Sequence, residues 1–89
     1  MDKSIMKTLN ESICAVAVDD IDMNQLKPGV NLRNDFGLDS LALVMLIIEI
    51  EYRFETPLDD SDFFNIDLND YNSIYQLIES KKTNSVYKT

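Results

Sequence analysis

Asp39 and Ser40 are the two residues of this sequence whose types and spacing point most directly to chemistry. They follow a turn over residues 35–38 and directly precede an apolar segment that begins at Leu41. The first turn of a helix favours negative charge, so a phosphodiester on a serine hydroxyl is stabilised there. Ser40 is therefore a candidate for covalent attachment. Taken alone, however, a serine in this position is predicted to be a plain helix cap, which accepts a hydrogen bond from a backbone N–H group.

Other kinds of reactive site are missing from the sequence. The chain has no histidine, which removes the usual general base for a serine or cysteine nucleophile. Its single cysteine, Cys14, has apolar neighbours and is predicted to be a small core residue. The acidic stretch Asp20-x-Asp22-x-Asn24 begins like a calcium loop but lacks the glycine and the bidentate glutamate that follow in such loops. We therefore predict no catalytic residue, no metal site and no enzyme activity.

Length and charge narrow the class of protein further. The 89 residues are enough for one domain, and 16 acidic against 8 basic residues give a net charge of −8. Such a surface disfavours nucleic acid and anionic membranes and favours basic protein partners, although the charge could serve solubility alone. The N-terminus has no signal-peptide pattern, and the longest apolar run is far too short to span a membrane. We expect a cytoplasmic monomer.

The elements that must position Ser40 are predicted to be helices. Apolar residues at helical spacing indicate a first helix that ends near Ala17. Its stripe consists of Ile5, Met6, Leu9, Ile13 and Val16. A long loop follows over residues 18–39, with scattered apolar residues that are expected to anchor it to the core. These anchors are Ile21, Leu26, Val30, Leu32 and Phe36.

The second half of the chain is predicted to hold the remaining helices. A second helix runs from Leu41 to about Phe54, and a short helical turn is expected within residues 59–65. A last helix runs from about Tyr71 to Lys81, with Asn69 or Asp70 as its cap. The predicted fold class is all-α, a small bundle of three main helices plus one short helix with a long first loop. Residues 1–82 form a single domain in this interpretation, and residues 83–89 form a flexible tail.

The second helix has almost no polar face. From Leu41 to Ile50 every residue except Glu49 is apolar, whereas a surface helix usually has a polar side. A domain of this size cannot enclose such a helix easily, so part of it is expected to stay exposed and to bind partner proteins. The predicted partner-binding residues are Leu41, Val44, Met45 and Ile48. The alternative is that the helix lies centrally and is enclosed on all sides.

The sequence around Ser40 resembles the phosphopantetheine attachment motif of acyl carrier proteins. The motif is an acidic residue, Leu-Gly, a variable residue and Asp-Ser-Leu, and the corresponding residues are Asp35-Phe36-Gly37-Leu38-Asp39-Ser40-Leu41. The order of the helices, the long first loop and the turn at Pro57 are also similar to that family. The resemblance covers the chain from about Ile5 to Ile78.

The resemblance implies that Ser40 carries a covalent 4′-phosphopantetheine arm, which a phosphopantetheinyl transferase attaches from coenzyme A. It also implies that Asp39 helps to hold a metal during that transfer and that Leu41 contacts partners. The thiol of the arm would hold acyl or aminoacyl groups as thioesters. The partners would be acyl or aminoacyl ligases, synthases or transferases with basic docking surfaces.

Two departures from the family leave the pathway open. Many fatty-acid carriers have acidic residues two and five positions after the serine, where this chain has Ala42 and Met45. The stretches at residues 59–64 and 71–74 look more like those of discrete carriers in amino-acid-activating, polyketide or peptide pathways. Fatty-acid, polyketide and nonribosomal-peptide-type biosynthesis therefore all stay possible. The alternative function is a helical protein-interaction module without a prosthetic group, in which Ser40 is only a cap.

Overall fold

The computed structural model describes residues 2–59, 61–62 and 66–88, and side chains as far as residue 82. Within these residues it contains four α-helices, named α1 (Lys3–Val16), α2 (Leu32–Phe36), α3 (Ser40–Phe54) and α4 (Tyr71–Lys88). A 3₁₀ turn lies at Met23–Gln25. No β-strand occurs in the described ranges, and the predicted all-α bundle is confirmed. None of these helices is long and apolar enough to cross a membrane.

The core forms where α1 packs against α3 and α4. The side of α1 that carries the predicted stripe is the buried side, with Ile5, Leu9 and Ile13 almost fully enclosed. Asp2 caps this helix by accepting a hydrogen bond from the Ser4 backbone N–H at 2.8 Å. Burial of each such aliphatic side chain contributes about 1.5–3 kcal/mol to stability, so this stripe is what holds α1 in the bundle.

The long loop is less irregular than the sequence predicts. Residues 32–36 form the single turn of helix α2. Leu32, its first residue, and Leu38, two residues after its end, are fully buried. The backbone N–H of Leu32 donates to the Asn69 carbonyl at 2.6 Å, and that of Tyr71 donates to the Val30 carbonyl at 3.2 Å. These bonds tie the loop to the start of α4. The expectation of an anchored segment is confirmed, and the expectation of a segment without helix is wrong.

The last helix begins as predicted and is longer than predicted. Its cap is Asp70, whose carboxylate accepts hydrogen bonds from the Ser73 backbone N–H at 3.2 Å and from its hydroxyl at 2.9 Å. The helix ends at Lys88 rather than near Lys81. The helical turn expected at 59–65 lies largely outside the described residues, although Ser61 and Asp62 are helical. The division into a domain over residues 1–82 and a flexible tail over 83–89 stays a prediction.

Candidate functional site

The turn before α3 places Ser40 on a fixed scaffold. Gly37 ends α2 in the left-handed conformation, with φ of 73°, and its N–H donates to the Arg33 carbonyl at 2.9 Å. A Cβ built at Gly37 would meet nothing within 4 Å, so glycine is required there for its backbone conformation and not for space. Leu38 then enters the core. A sharp reversal and a buried anchor therefore fix where α3 starts.

Asp39, and not Ser40, caps helix α3. The Asp39 carboxylate oxygen Oδ1 accepts a hydrogen bond from the Ala42 backbone N–H at 2.9 Å, and the Asp39 carbonyl accepts one from Leu43 N–H at 3.0 Å. Ser40 is the first residue of the helix and its side chain is exposed. The alternative interpretation of Ser40 as the cap is therefore wrong. The Ser40 hydroxyl lies at the surface and does not cap the helix.

A cation that the sequence interpretation missed lies beside this hydroxyl. Arg33 Nη2, from α2, donates a hydrogen bond to Ser40 Oγ at 3.3 Å. Arg33 is the only basic residue between Lys27 and Arg53, and this isolation in an acidic segment was the available signal. The hydrogen bond between Arg33 and Ser40 forms only because residues 32–36 fold into the single turn of α2. Because α2 was not predicted, the pairing of Arg33 with Ser40 could not be predicted either.

One side of α3 is an exposed apolar surface. The exposed fractions are 68% for Leu41, 54% for Val44, 46% for Met45, 61% for Ile48 and 80% for Tyr52. We call these five residues the exposed stripe. The opposite side, with Ala42, Leu43, Leu46 and Ile50, is buried.

The expected exposure of the four predicted residues is confirmed, and the interpretation of α3 as an enclosed helix is wrong. Tyr52 was missed, although it lies four residues after Ile48 and therefore on the same side of the helix.

A shallow groove adjoins the exposed stripe. It has a volume of about 190 Å³ and lies between the end of α1 and the middle of α3. Its lining residues are Ala15, Val16, Met45, Ile48 and Glu49. The groove adds a concave, mostly apolar region to an otherwise convex helix face. Such a shape can receive an apolar side chain from a partner.

The interior between α3 and α4 is nearly filled. An apolar cavity of about 10 Å³ lies there, with Leu46, Ile50, Leu58 and Ile78 among its lining residues. A space of this size holds at most one water molecule. The described conformation therefore has no room for an acyl chain in this place, and a chain could enter only if the helices moved apart.

The Cys14 thiol and the acidic side chains are the other groups that could react or bind a metal ion. Partial burial raises the pKa of the Cys14 thiol, so it stays protonated at neutral pH and is a poor nucleophile. The thiol lies 3.8 Å from the Ile21 carbonyl, as expected for a small residue at the edge of the core. In the part of the chain that the structure describes, no three His, Cys, Asp or Glu side chains are grouped closely enough to hold a metal ion.

Comparison with known proteins identifies the family. The family model of the phosphopantetheine attachment site matches residues 11–79, a span that includes all of α2 and α3. The chain is also 38% identical over 52 residues to an acyl carrier protein of Desulforapulum autotrophicum, an alignment that covers 58% of this chain and 68% of that protein. The chain belongs to the acyl carrier protein family. No solved structure matches it.

Membership in the acyl carrier protein family decides several expectations. Acyl carrier proteins are non-catalytic, so the chain is a carrier and not an enzyme. Its cofactor is covalently attached 4′-phosphopantetheine, and its partners include a phosphopantetheinyl transferase and biosynthetic enzymes. The exposed hydroxyl at the start of α3 suits this cofactor chemically, because a phosphodiester there would be accessible to a modifying enzyme and next to a guanidinium.

Proposed function

We propose that Ser40 carries the 4′-phosphopantetheine arm, and that this carrier presents acyl or aminoacyl groups to biosynthetic enzymes as thioesters on that arm. The observation that supports this proposal best is the separation of roles at the start of α3. Asp39 makes the capping hydrogen bond to Ala42, so the Ser40 hydroxyl is exposed and can be esterified without loss of the cap. Tethering a substrate in this way raises its effective concentration at each partner enzyme.

The other serines within the matched span are less suitable. Ser12 is fully buried and its hydroxyl donates to the Thr8 carbonyl at 2.8 Å. The Ser73 hydroxyl is part of the cap of α4, through its hydrogen bond to Asp70. Ser61 is exposed, but the sequence before it has Leu58 at the position where the attachment motif has glycine. Exposure, the preceding turn and the attachment motif therefore coincide only at Ser40.

Asp39 is proposed to assist the transfer as well as to cap α3. Its Oδ1 atom is engaged by Ala42 N–H, while its Oδ2 atom accepts no hydrogen bond from any described residue. The side chain is exposed and directly precedes Ser40. A carboxylate oxygen in this position is a suitable ligand for a divalent metal that the transferase brings with coenzyme A.

The exposed stripe is proposed to be the docking surface for the transferase and for the biosynthetic partners. Its residues Leu41, Val44, Met45 and Ile48 follow Ser40 along one side of α3, so a partner that binds them has its active site close to the arm. A continuous apolar surface of this kind typically marks a protein interface. The net charge of −8 favours partners whose docking surface is basic around an apolar centre.

The chemistry of this surface bears on the proposed pathway. Ala42 is buried, and Met45 is exposed where many fatty-acid carriers have an acidic residue. Docking is therefore proposed to depend more on apolar contact than in a housekeeping fatty-acid carrier. This fits partners in amino-acid-activating, polyketide or nonribosomal-peptide-type biosynthesis better than a fatty-acid synthase. We propose further that the protein acts as a cytoplasmic monomer, for which a single, partly buried cysteine is suitable.

Intact-mass spectrometry tests the attachment site. The protein is incubated with coenzyme A, magnesium and a phosphopantetheinyl transferase of broad specificity. We expect the wild type and the matched control Ser61→Ala to gain the mass of one 4′-phosphopantetheine group, and Ser40→Ala to gain none while keeping the helical circular dichroism of the wild type. Modification of Ser40→Ala, or an unmodified wild type, would contradict the proposal.

A further inference from the structure

Arg33 is an arginine without a carboxylate partner in a strongly acidic chain. Its guanidinium donates to the Ser40 hydroxyl at 3.3 Å, and no carboxylate among the described residues lies within ion-pair distance of it. Arg53 differs, because its Nε atom is 2.7 Å from the Glu49 carboxylate. Among the described residues, Arg53 and Lys81 form ion pairs with carboxylates, whereas Arg33 faces only a neutral hydroxyl. Its guanidinium can therefore bind an anionic ligand without first breaking an ion pair.

The backbone on both sides of Arg33 is held in place by burial and by hydrogen bonds. Leu32, its neighbour, is fully buried and hydrogen-bonded to Asn69. Asn31 caps α2 by accepting from Asn34 N–H at 2.8 Å, and its own N–H donates to Asp35 Oδ2 at 2.7 Å. The acidic residue nearest to Arg33 in the sequence is thus occupied by a backbone group. The guanidinium is exposed, but the position from which it reaches Ser40 is fixed.

The first turn of α3 has only part of its backbone donors available to a phosphate group on Ser40. The N–H groups of Ala42 and Leu43 already donate to Asp39. A cationic side chain beside Ser40 would add a stronger donor to those that remain. A guanidinium presents two parallel N–H groups that match two phosphate oxygens, and such charge-assisted bonds are about twice as strong as neutral ones.

We propose that Arg33 binds the phosphodiester on Ser40 and so fixes the direction in which the arm leaves the protein. This inference rests on the proposed attachment at Ser40. Before modification, Arg33 bonds weakly to the neutral hydroxyl. After modification, the same side chain meets an anion and the bond becomes an ion pair, which restrains the start of the arm towards α2. Arg33 is thus a positioning residue and takes no part in bond formation.

The stability gained on modification is the first readout. Thermal unfolding is compared between the unmodified and modified forms of the wild type, Arg33→Gln, Arg33→Lys and the matched control Arg53→Gln. We expect modification to raise the Tm of the wild type by roughly 2–5 °C at low ionic strength, as a single exposed ion pair would in a domain of this size. Arg33→Gln should lose most of this shift, Arg33→Lys should keep part of it, and Arg53→Gln should keep all of it. Molar salt should reduce the shift in the wild type.

The direction of the arm is the second readout. A nitroxide label attached to the thiol of the arm broadens the NMR signals of nearby backbone amides. We expect the amide signals of α2 to be broadened more strongly in the wild type than in Arg33→Gln. We also expect the Arg33 Nε–H signal of the wild type to shift on modification. Equal Tm shifts in both proteins, with an unchanged Arg33 signal, would overturn the inference while leaving attachment at Ser40 intact. A wild type that the transferase does not modify would overturn the attachment and, with it, this inference.

Discussion

The two sides of helix α3 consist of the same kind of residue and lie in opposite environments. Leu43 and Leu46 are almost fully buried against the other helices, whereas Leu41 and Met45, one or two positions away, are about half or more exposed. Composition alone does not distinguish the two sides. Their difference arises from which side of α3 faces the other helices, and those contacts join residues that are distant in sequence.

The buried side of α3 stabilises the fold, whereas the exposed stripe is available for contact with other proteins. Loss of an apolar side chain from the buried side removes packing and leaves a cavity, which lowers the free energy of unfolding. Loss of one from the exposed stripe removes little packing, because water already contacts most of it. If the stripe were needed only for stability, its exposure would have no explanation. The two sides should therefore respond differently to matched substitutions.

The largest effect on stability is expected for Leu46→Ala. Leu46 is almost fully buried in the core and also lines the small cavity between α3 and α4, so truncation enlarges a space that is now nearly filled. We expect the free energy of unfolding to fall by about 2–5 kcal/mol, measured by urea denaturation. Met45→Ala, one residue earlier on the exposed stripe, is the matched control and should lose far less. Similar losses for both variants would show that the two sides are not distinct.

A second effect on the free energy of unfolding is expected at high pH, from the buried Tyr71. Burial, with the neighbouring Tyr75 adding to it, raises the pKa of Tyr71 to about 12, while its hydroxyl donates to Asn10 Oδ1 at 2.7 Å. The unfolded chain loses this proton near pH 10, before the folded protein does. Stability from this group is therefore complete below about pH 10 and is lost between about pH 10 and pH 12, by roughly 2 kcal/mol in total.

The pH dependence of the urea midpoint tests this expectation, with Tyr71→Phe as the comparison. The variant should be less stable at neutral pH, by about 1 kcal/mol, because it lacks the hydrogen bond to Asn10. Its stability should then fall less steeply than that of the wild type above about pH 10. Parallel curves for the two proteins would mean that Tyr71 titrates normally and that the core is open to water at this point.

A smaller effect is expected from the adjacent pair at the start of α3. Asp39→Ala removes the hydrogen bond to Ala42 N–H and should lower the free energy of unfolding by about 1 kcal/mol. Ser40→Ala should change it by less than about 0.5 kcal/mol, because the Ser40 side chain is exposed and caps nothing. Chemical denaturation of the unmodified proteins measures both values. The reverse order of the two losses would restore Ser40 as the cap and weaken the case for it as a free attachment point.

Local sequence patterns located the three long helices, apart from the end of α4, and missed the short helix. The predicted range of α3, Leu41 to Phe54, differs from the observed one by a single residue, because a long apolar run with a capping aspartate is a local signal. Helix α2 is one turn long and depends on the buried Leu32 and on its hydrogen bond to Asn69. A helix of that length is unstable without such contacts, and no local pattern reveals them.

The same reasoning applies to the candidate site. Ser40 and Asp39 follow from a contiguous motif. The exposure of one side of α3 follows from counting apolar residues in a small domain, and the residues concerned are Leu41, Val44, Met45 and Ile48. Arg33 reaches Ser40 only because α2 and the turn at Gly37 fold the chain back. The sequence shows an isolated Arg33 but does not show that it contacts Ser40. Sequence reasoning therefore found the residue proposed to be modified and missed its neighbour in space.

The smallest effect on stability, and the sharpest test of the exposed stripe, is expected for Met45→Glu. Met45 is 46% exposed and borders the groove at the end of α1, so a charged side chain can point into water there. The free energy of unfolding should change by less than about 0.5 kcal/mol. Docking should respond more strongly, since a carboxylate in an apolar contact must lose its water. We expect kcat/KM for modification by the transferase to fall about tenfold.

Two further variants show which force dominates docking at this position. Met45→Ala removes apolar contact without adding charge, and Gln76→Glu adds the same charge at an exposed position on α4. If docking is chiefly apolar, Met45→Ala and Met45→Glu both lower kcat/KM, and Gln76→Glu leaves it unchanged. If docking is chiefly electrostatic, Met45→Glu raises kcat/KM, because an added acidic group attracts a basic partner. That result would group this carrier with those that have acidic residues on the helix after the serine. It would overturn the apolar docking surface proposed for α3.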